Sequence, residues 1–136
     1  MKTQVLSIEQ MQYLQKLGVD TSGASMMYHF WVDKKHKNCF LLSADTATPY
    51  DSENVPTFTL QDMLEMMPDV IEQNNILFFL ALKKQYCHYM CGYVSMFKRE
   101  GLSFFACENI LTCAYKTLCW LAENGYLKGG KNEKRD

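Results

Sequence analysis

The sequence predicts an α+β domain in which an antiparallel sheet of about five strands is covered mainly on one face by helices. Three observations lead to this prediction. Segment 109–126 has the apolar spacing of an amphipathic helix, and two earlier segments begin with capping motifs, at Ser7 and Thr59. Between them, apolar segments of strand length alternate with short polar turns, which make neighbouring strands antiparallel. The predicted order is α-β-β-α-β-β-β-α.

The helix predicted for segment 109–126 has the strongest periodicity in the chain. Its apolar residues recur at intervals of three and four, and they are Leu111, Ala114, Leu118 and Leu121. Asn109 can cap its first turn, and Gly125 can adopt the left-handed conformation that ends it, with Tyr126 folding back on Leu121. Because one side of this helix is strongly apolar, it needs an apolar surface, which the β-rich middle of the chain supplies.

The two other predicted helices begin with the same local chemistry. Ser7 is followed at the third position by Gln10, and Leu6 is placed to pack on Met11, so the first helix is predicted for residues 8–17. The same pattern recurs later in the chain, at Phe58, Thr59, Asp62 and Met63.

Five segments have the composition of strands. They are residues 25–32, 39–44, 76–82, 86–97 and 102–107. Residues 33–38, 83–85 and 98–101 are predicted as turns, and residues 45–54 as a loop. Residues 1–127 are then expected to form one domain, followed by a disordered charged tail at 128–136.

Composition limits the classes of function. Of the 136 residues, 48% are hydrophobic and 21% are charged, and the net charge is −1, which excludes nucleic-acid binding through bulk charge. No apolar segment reaches the length of about 18 residues that a bilayer span needs, so we expect no membrane association. The N-terminus lacks the apolar core of a secretory peptide, which predicts a cytoplasmic protein whose six cysteines remain thiols.

Candidate metal ligands occur together at Cys87, His88 and Cys91. On a strand the two cysteines would be separated by about 13 Å and His88 would point away, so one tetrahedral zinc ion would not bind all three. A metal site would need further cysteines to converge, from among Cys39, Cys107 and Cys113. We therefore assign no catalytic, cofactor-binding or metal-ligating residue, and we keep a thiol- or metal-dependent function as an alternative.

The basic residues suggest another alternative, because most of them lie in predicted turns. These residues are Lys34, Lys35, Lys37, Lys83, Lys84, Lys98 and Arg99. If several turns met at one end of the sheet, they would form a basic patch beside Tyr86 and Tyr89, suited to a phosphate backbone or stacked bases. Lysines at strand ends also have a structural explanation, because they protect sheet edges from aggregation. A nucleic-acid-binding accessory protein is therefore the second hypothesis and not the first.

The leading hypothesis comes from surplus apolar surface. The chain contains eight Tyr, eight Phe, two Trp and nine Met. A sheet whose strands lack a polar face needs cover on both faces, and three short helices cover one. We therefore predict a non-enzymatic protein-interaction module that binds a protein partner or a second copy of itself.

Three stretches of the sequence resemble small uncharacterised proteins that are encoded in gut Bacteroidales genomes and their mobile elements or prophages. They are residues 1–20, 56–64 and 114–126, which carry the three predicted helices and less than half of the chain. The resemblance implies an accessory protein of a bacterium or of its mobile DNA. It carries no activity with it, and it favours a binding role over core metabolism.

Overall fold

The computed structural model describes residues 4–31, 39–46, 52–96 and 101–127. Within these ranges the elements are α1 (Ile8–Lys16), β1 (Met26–Trp31), β2 (Cys39–Ser43), β3 (Ser52–Thr57), α2 (Leu60–Met66), β4 (Val70–Gln73), β5 (Ile76–Gln85), β6 (His88–Ser95), β7 (Gly101–Cys107) and α3 (Ile110–Glu123). The strands pair in the orders β2-β1-β3 and β4-β5-β6-β7, with every pair antiparallel. The α+β class is confirmed. The single sheet of about five strands is wrong, because the described residues form seven strands in two sheets.

Two strands, β3 and β4, were not predicted. Strand β3 includes residues 52–54 of the predicted loop and Pro56, which an edge strand tolerates because its missing N–H is not needed there. Strand β4 has only four residues and joins β5 through Asn74 and Asn75, whose φ angles of 54° and 65° form a two-residue hairpin turn. Both strands lie at sheet edges, where pairing with a neighbour outweighs weak local propensity.

The turn predicted at residues 83–85 is also misplaced. Strand β5 continues through Gln85, and the turn consists of Tyr86 and Cys87, with φ angles of 50° and 65°. Because Gln85 pairs with His88, the connection has two residues, and cross-strand pairing determines where the chain reverses. Lys83 and Lys84 therefore belong to a strand.

The predicted helix starts are confirmed. The Ser7 hydroxyl accepts from the Gln10 amide at 3.1 Å, and the Gln10 side chain accepts from the Ser7 amide at 2.9 Å. Thr59 and Asp62 repeat this reciprocal pair at 3.1 and 2.9 Å. These bonds satisfy amides that the first helical turn leaves without partners.

The predicted end of α3 is confirmed as well. Gly125 has a φ angle of 77°, and the Tyr126 amide donates to the Leu121 carbonyl at 2.9 Å. The Tyr126 ring stacks on Trp120, with 5.4 Å between the ring centroids. The chain thus turns back over the last turn of the helix.

Helix α3 lies at the centre of the packing. It packs on β6 and β7, while α1 and α2 pack on α3, and α1 also contacts β3. One core joins these elements, and it includes Leu6, Met11, Leu14, Phe58, Met63, Ile71, Phe78, Tyr93, Leu118 and Leu121. The helices are therefore gathered on one side of the four-stranded sheet, as the sequence predicts.

Side-chain hydrogen bonds attach the three-stranded sheet to the helices. The Leu6 carbonyl accepts from the Thr57 hydroxyl at 2.6 Å and from the Tyr28 hydroxyl at 2.9 Å. The Asp62 carboxylate at the start of α2 accepts from the Ser25 amide and hydroxyl at 3.0 and 2.8 Å. None of the helices described here is long and apolar enough to cross a membrane. The tail at 128–136 lies outside the described residues.

Candidate interaction surface

The two faces of the four-stranded sheet have different surroundings. On the inner face, α3 is tied to strand backbone, because the Cys113 thiol donates to the Tyr89 carbonyl at 2.9 Å. One turn later, the Thr117 hydroxyl lies 3.3 Å from the Cys91 carbonyl. These contacts identify the inner face as the one that α3 covers.

Polar groups on the inner face have partners. The fully buried Tyr93 donates its hydroxyl to the Pro68 carbonyl at 2.7 Å, and burial raises the pKa of this phenol, so it stays protonated. In the ranges that the structure describes, no buried side-chain nitrogen or oxygen lacks a hydrogen-bond partner. Where α3 covers it, the inner face is therefore a closed structural interface.

The alternate residues of the same strands form the outer face. Cross-strand pairs place these apolar side chains together: Val70, Leu77, Phe79, Ala81, Met90, Val94, Phe104 and Ala106. Leu77 is 48% exposed, and Val70 and Phe104 are each 39% exposed. Since α3 lies on the other side of the sheet, its packing leaves Leu77, Val70 and Phe104 exposed to solvent.

The strand register aligns the side chains of the outer face in rows across the strands. One row consists of Val70, Phe79 and Val94. The next row consists of Ala81, Gly92 and Phe104.

Gly92 allows strand β7 to approach closely. A Cβ atom at this position would overlap the Ser103 carbonyl oxygen and would lie 2.7 Å from Cδ1 of Phe104. Any side chain would therefore collide with β7 backbone and with the Phe104 ring. The glycine therefore leaves room for the Phe104 ring beside β6.

Charged residues lie at the two ends of the outer face. The exposed Glu72 is the cross-strand partner of Leu77, near one end of β5. The exposed Lys83 lies six residues further along β5, opposite Met90. An apolar centre with charged residues at its edge is typical of protein–protein interfaces.

The structure does not join Lys83 and Lys84, the members of the predicted basic patch that it describes, into one patch. Lys83 lies on the outer face and Lys84 on the inner side, because successive strand residues point in opposite directions. The Lys84 ammonium lies 5.4 Å from the centroid of the Tyr89 ring. The other members of the predicted patch lie outside the described residues: Lys34, Lys35, Lys37, Lys98 and Arg99.

The three neighbouring candidate ligands Cys87, His88 and Cys91 are not brought together. Cys87 is exposed in the turn, and the exposed His88 has its Nδ1 atom 3.0 Å from the Tyr86 carbonyl. Cys91 is buried on the inner face beneath α3. In the described part of the chain, no group of three or more His, Cys, Asp or Glu side chains is arranged to hold a metal ion.

The buried thiols are poor nucleophiles and poor metal ligands at neutral pH. Burial, with a further contribution from the neighbouring Cys107 thiol, raises the pKa of Cys113 to about 12. Burial also raises the pKa of Cys91 and of Cys119. These thiols are protonated at neutral pH, whereas the nucleophile and metal ligand is the thiolate. His29, also buried, has its Nδ1 atom 2.8 Å from the Asn54 side-chain oxygen.

Two concave regions lie away from the outer face. A cavity of 560 Å³ is lined mainly by apolar side chains. Among them are Leu60 and Ile110 at the starts of α2 and α3, Met26 on β1 and Leu41 on β2. A shallow cleft of 320 Å³ has Asp20, Asp62 and Glu65 on its walls. Partial burial acts to raise the pKa of Asp62, but hydrogen bonds from Thr59 and Ser25 lower it overall, so this carboxylate already has a structural role.

The sequence pattern missed the strand that completes the outer face. Val70 and Glu72 belong to β4, and the signal that could have revealed this strand is the Asn74–Asn75 pair before the apolar segment. The predicted surplus of apolar surface did not identify which side chains remain uncovered, because that depends on strand register.

Comparisons with known proteins found no relative of this chain. No protein-family model matches the chain, and neither the curated proteins nor the solved structures gave a match. The similarity of the three helices to Bacteroidales proteins therefore stays a prediction, and the surface is interpreted from its own geometry.

Proposed function

We propose that the protein is a non-enzymatic interaction module that binds another polypeptide through the outer face of its four-stranded sheet. The observation that carries this proposal is the exposure of large apolar side chains there, above all Leu77, Val70 and Phe104. Contiguous apolar surface of this kind marks interaction sites, because covering it removes apolar area from water.

The shape of the surface supports a polypeptide over a small molecule. Small-molecule sites are concave and enclose most of the ligand, whereas the outer face is an open sheet surface. Its apolar centre and the flanking Glu72 and Lys83 match the arrangement of a protein-binding patch.

The described titratable groups give less support to catalysis. The Cys91 and Cys113 thiols are buried and have raised pKa values, and Asp62 accepts hydrogen bonds from Ser25 and Thr59. An active site needs a nucleophile or base beside a space for substrate. The nucleic-acid hypothesis also has less support, because Lys83 and Lys84 lie on opposite faces of β5.

Site-specific photo-crosslinking tests the proposal. A photoreactive phenylalanine analogue replaces Leu77 on the outer face or Leu82 on the opposite face of the same strand, and these side chains are 48% and 40% exposed. In cells that produce the protein, we expect position 77 to form a covalent adduct with a polypeptide that mass spectrometry identifies. Position 82 is the matched control.

Two outcomes would contradict the proposal. If position 77 gave no adduct, the outer face would have no polypeptide partner. If positions 77 and 82 gave the same adducts in equal yield, the contacts would follow exposure alone and not the face of the sheet.

A further inference from the structure

We infer that the four-stranded sheet has a second interaction site, a vacant strand position beside β5 that takes an extended, acidic segment of another polypeptide. This inference goes beyond the proposed function, because the site is an edge of the sheet and not its outer face. Three properties of the edge lead to it: its length, the direction of its main-chain groups and its charge.

Strand β4 pairs with only the first part of β5. Its first residue, Val70, is opposite Phe79, and one further hydrogen bond joins the Leu80 amide to the Asp69 carbonyl at 3.0 Å. Strand β5 continues through residues 81–85, and in the described part of the chain no strand lies beside them on the β4 side. We call this vacant position, beside residues 81–85, the notch.

The notch stays open because the chain leaves the plane of the sheet before reaching it. The Pro68 carbonyl accepts from the hydroxyl of Tyr93, a side chain of the inner face, at 2.7 Å. The residues before β4 therefore pass over the inner face instead of extending along β5. In agreement, Leu82 is 40% exposed, and Lys83 and Lys84 are exposed.

Main-chain donors and acceptors point into the notch. Gln85 closes a two-residue turn with β6 and is therefore hydrogen-bonded to that strand. Because hydrogen-bonded pairs alternate along an antiparallel ladder, Lys83 also bonds to β6, whereas the N–H and C=O groups of Leu82 and Lys84 point the other way. The Leu80 amide, which donates on the β4 side, has the same direction. An extended segment in the notch would pair with these groups, as an added strand does.

Charge selects among the segments that could occupy the notch. A second copy of β5, paired so that Leu82 lies opposite Lys84, would place Lys83 opposite Lys83 of the second copy, and like charges in that position are destabilising. Residues 128–136 carry more Lys and Arg than Asp and Glu, so they are not complementary either. Acidic side chains opposite the two lysines would form favourable cross-strand pairs.

The edge also predicts the order of residues in the segment. Along β5, an apolar residue is expected opposite Leu82, followed by acidic residues opposite Lys83 and Lys84. The exposed Asp69 lies beside the other end of the notch and disfavours an acidic residue there. Since the Lys84 ammonium lies 5.4 Å from the centroid of the Tyr89 ring, on the β6 side, we expect Lys83 to contribute more to recognition.

A synthetic peptide tests the inference. The probe is a short peptide of valine and threonine with two adjacent glutamates, and the matched probe has two lysines in their place. NMR measures amide hydrogen exchange in the full chain. At saturation, the acidic peptide should slow exchange of the Leu82 and Lys84 amides about tenfold or more, and leave the Lys83 amide, already bonded to β6, unchanged. The lysine peptide should have no effect.

Variants of the chain and of the peptide test the two kinds of contact separately. Lys83→Glu should weaken binding of the acidic peptide about tenfold, and Lys84→Glu should weaken it less. Lys116→Glu, at an exposed position on α3, makes the same change in net charge and should leave binding unchanged. Methylation of the main-chain nitrogens of the peptide should abolish binding, because it removes the donors. Circular dichroism verifies that every variant is folded.

The inference is overturned if the acidic peptide does not bind, if the lysine peptide binds equally well, or if exchange at Leu82 and Lys84 is unchanged. Equal losses from Lys83→Glu and Lys116→Glu would also overturn it, because they would show attraction to net charge alone. None of these results bears on the outer face. Because the notch lies beside Leu82 and not Leu77, a strand bound there would give a crosslinked adduct at position 82 that differs from the adduct of the outer face at position 77.

Discussion

The inner and outer faces of the four-stranded sheet are made from the same strands, yet they differ in what covers them. On the inner face, α3 packs on the strands, and Cys113 and Thr117 lie against strand carbonyl groups. On the outer face, side chains of similar apolar character, such as Leu77 and Phe104, stay exposed. Both faces of the strands are therefore apolar, although the helices pack on only one of them in the described structure. The apolar surface left exposed on the outer face is the feature on which the proposed binding function rests.

The largest expected difference between the two regions is in folding stability. Leu118→Ala in α3 should lower the free energy of unfolding by about 3 kcal/mol, because it leaves a cavity in the core. Leu77→Ala on the outer face should cost less than about 1 kcal/mol in the dilute protein, where the side chain faces water. Urea unfolding of both variants measures this contrast. Equal losses would show that the outer face is covered within a single chain.

A smaller loss of folding stability is expected from a substitution at Gly92, where β6 and β7 lie close together. Gly92→Ala should lower the free energy of unfolding by about 2 kcal/mol, because the added methyl group would overlap the Ser103 carbonyl. Gly23→Ala is the control, since nothing lies within 4 Å of a Cβ atom there, and its change should be within about 0.5 kcal/mol. Thermal unfolding compares them. A stable Gly92→Ala protein would mean that β7 can move away from β6.

The smallest expected effect concerns thiols and pH. The folded-state pKa of Cys113, about 12, lies above its ordinary value of 9.0. Its protonated form therefore contributes stability that is complete below pH 9 and is lost as the pH rises toward the folded-state value. We expect the urea concentration at the unfolding midpoint to decrease as the pH is raised above 9. The decrease should be smaller in Cys113→Ala.

Thiol alkylation gives an independent measure of the same difference. In native protein at pH 8, iodoacetamide should modify the exposed Cys87, whereas the buried Cys91 and Cys113 should react only after unfolding. Peptide mass spectrometry measures each site. Rapid modification of native Cys113 would contradict a closed inner face.

The sequence predicts the features that depend on local chemistry. Capping pairs such as Ser7 with Gln10, and the glycine after α3, involve residues close in the chain, so their spacing carries the information. The helical face of Leu111, Ala114, Leu118 and Leu121 is buried as expected. These local features locate all three helices correctly.

Features that depend on pairing between residues distant in the chain cannot be predicted from local sequence spacing. Strand β3 forms because Val55 and its neighbours pair with β1, and the loop-like composition of 45–54 hides this. The division into two sheets follows from which edges pair, and no local pattern records it. For the same reason the sequence placed Lys83 in a turn, whereas the register of β5 and β6 places it at the end of the outer face.

The short join between β7 and α3 has a mechanical consequence. Only Glu108 and Asn109 separate the strand from the helix, and the Asn109 side chain accepts from the Leu111 amide at 2.7 Å. The sheet is thus braced from behind by a helix that starts at its edge. A surface braced in this way is preorganised, so binding of the proposed partner would require little loss of conformational entropy.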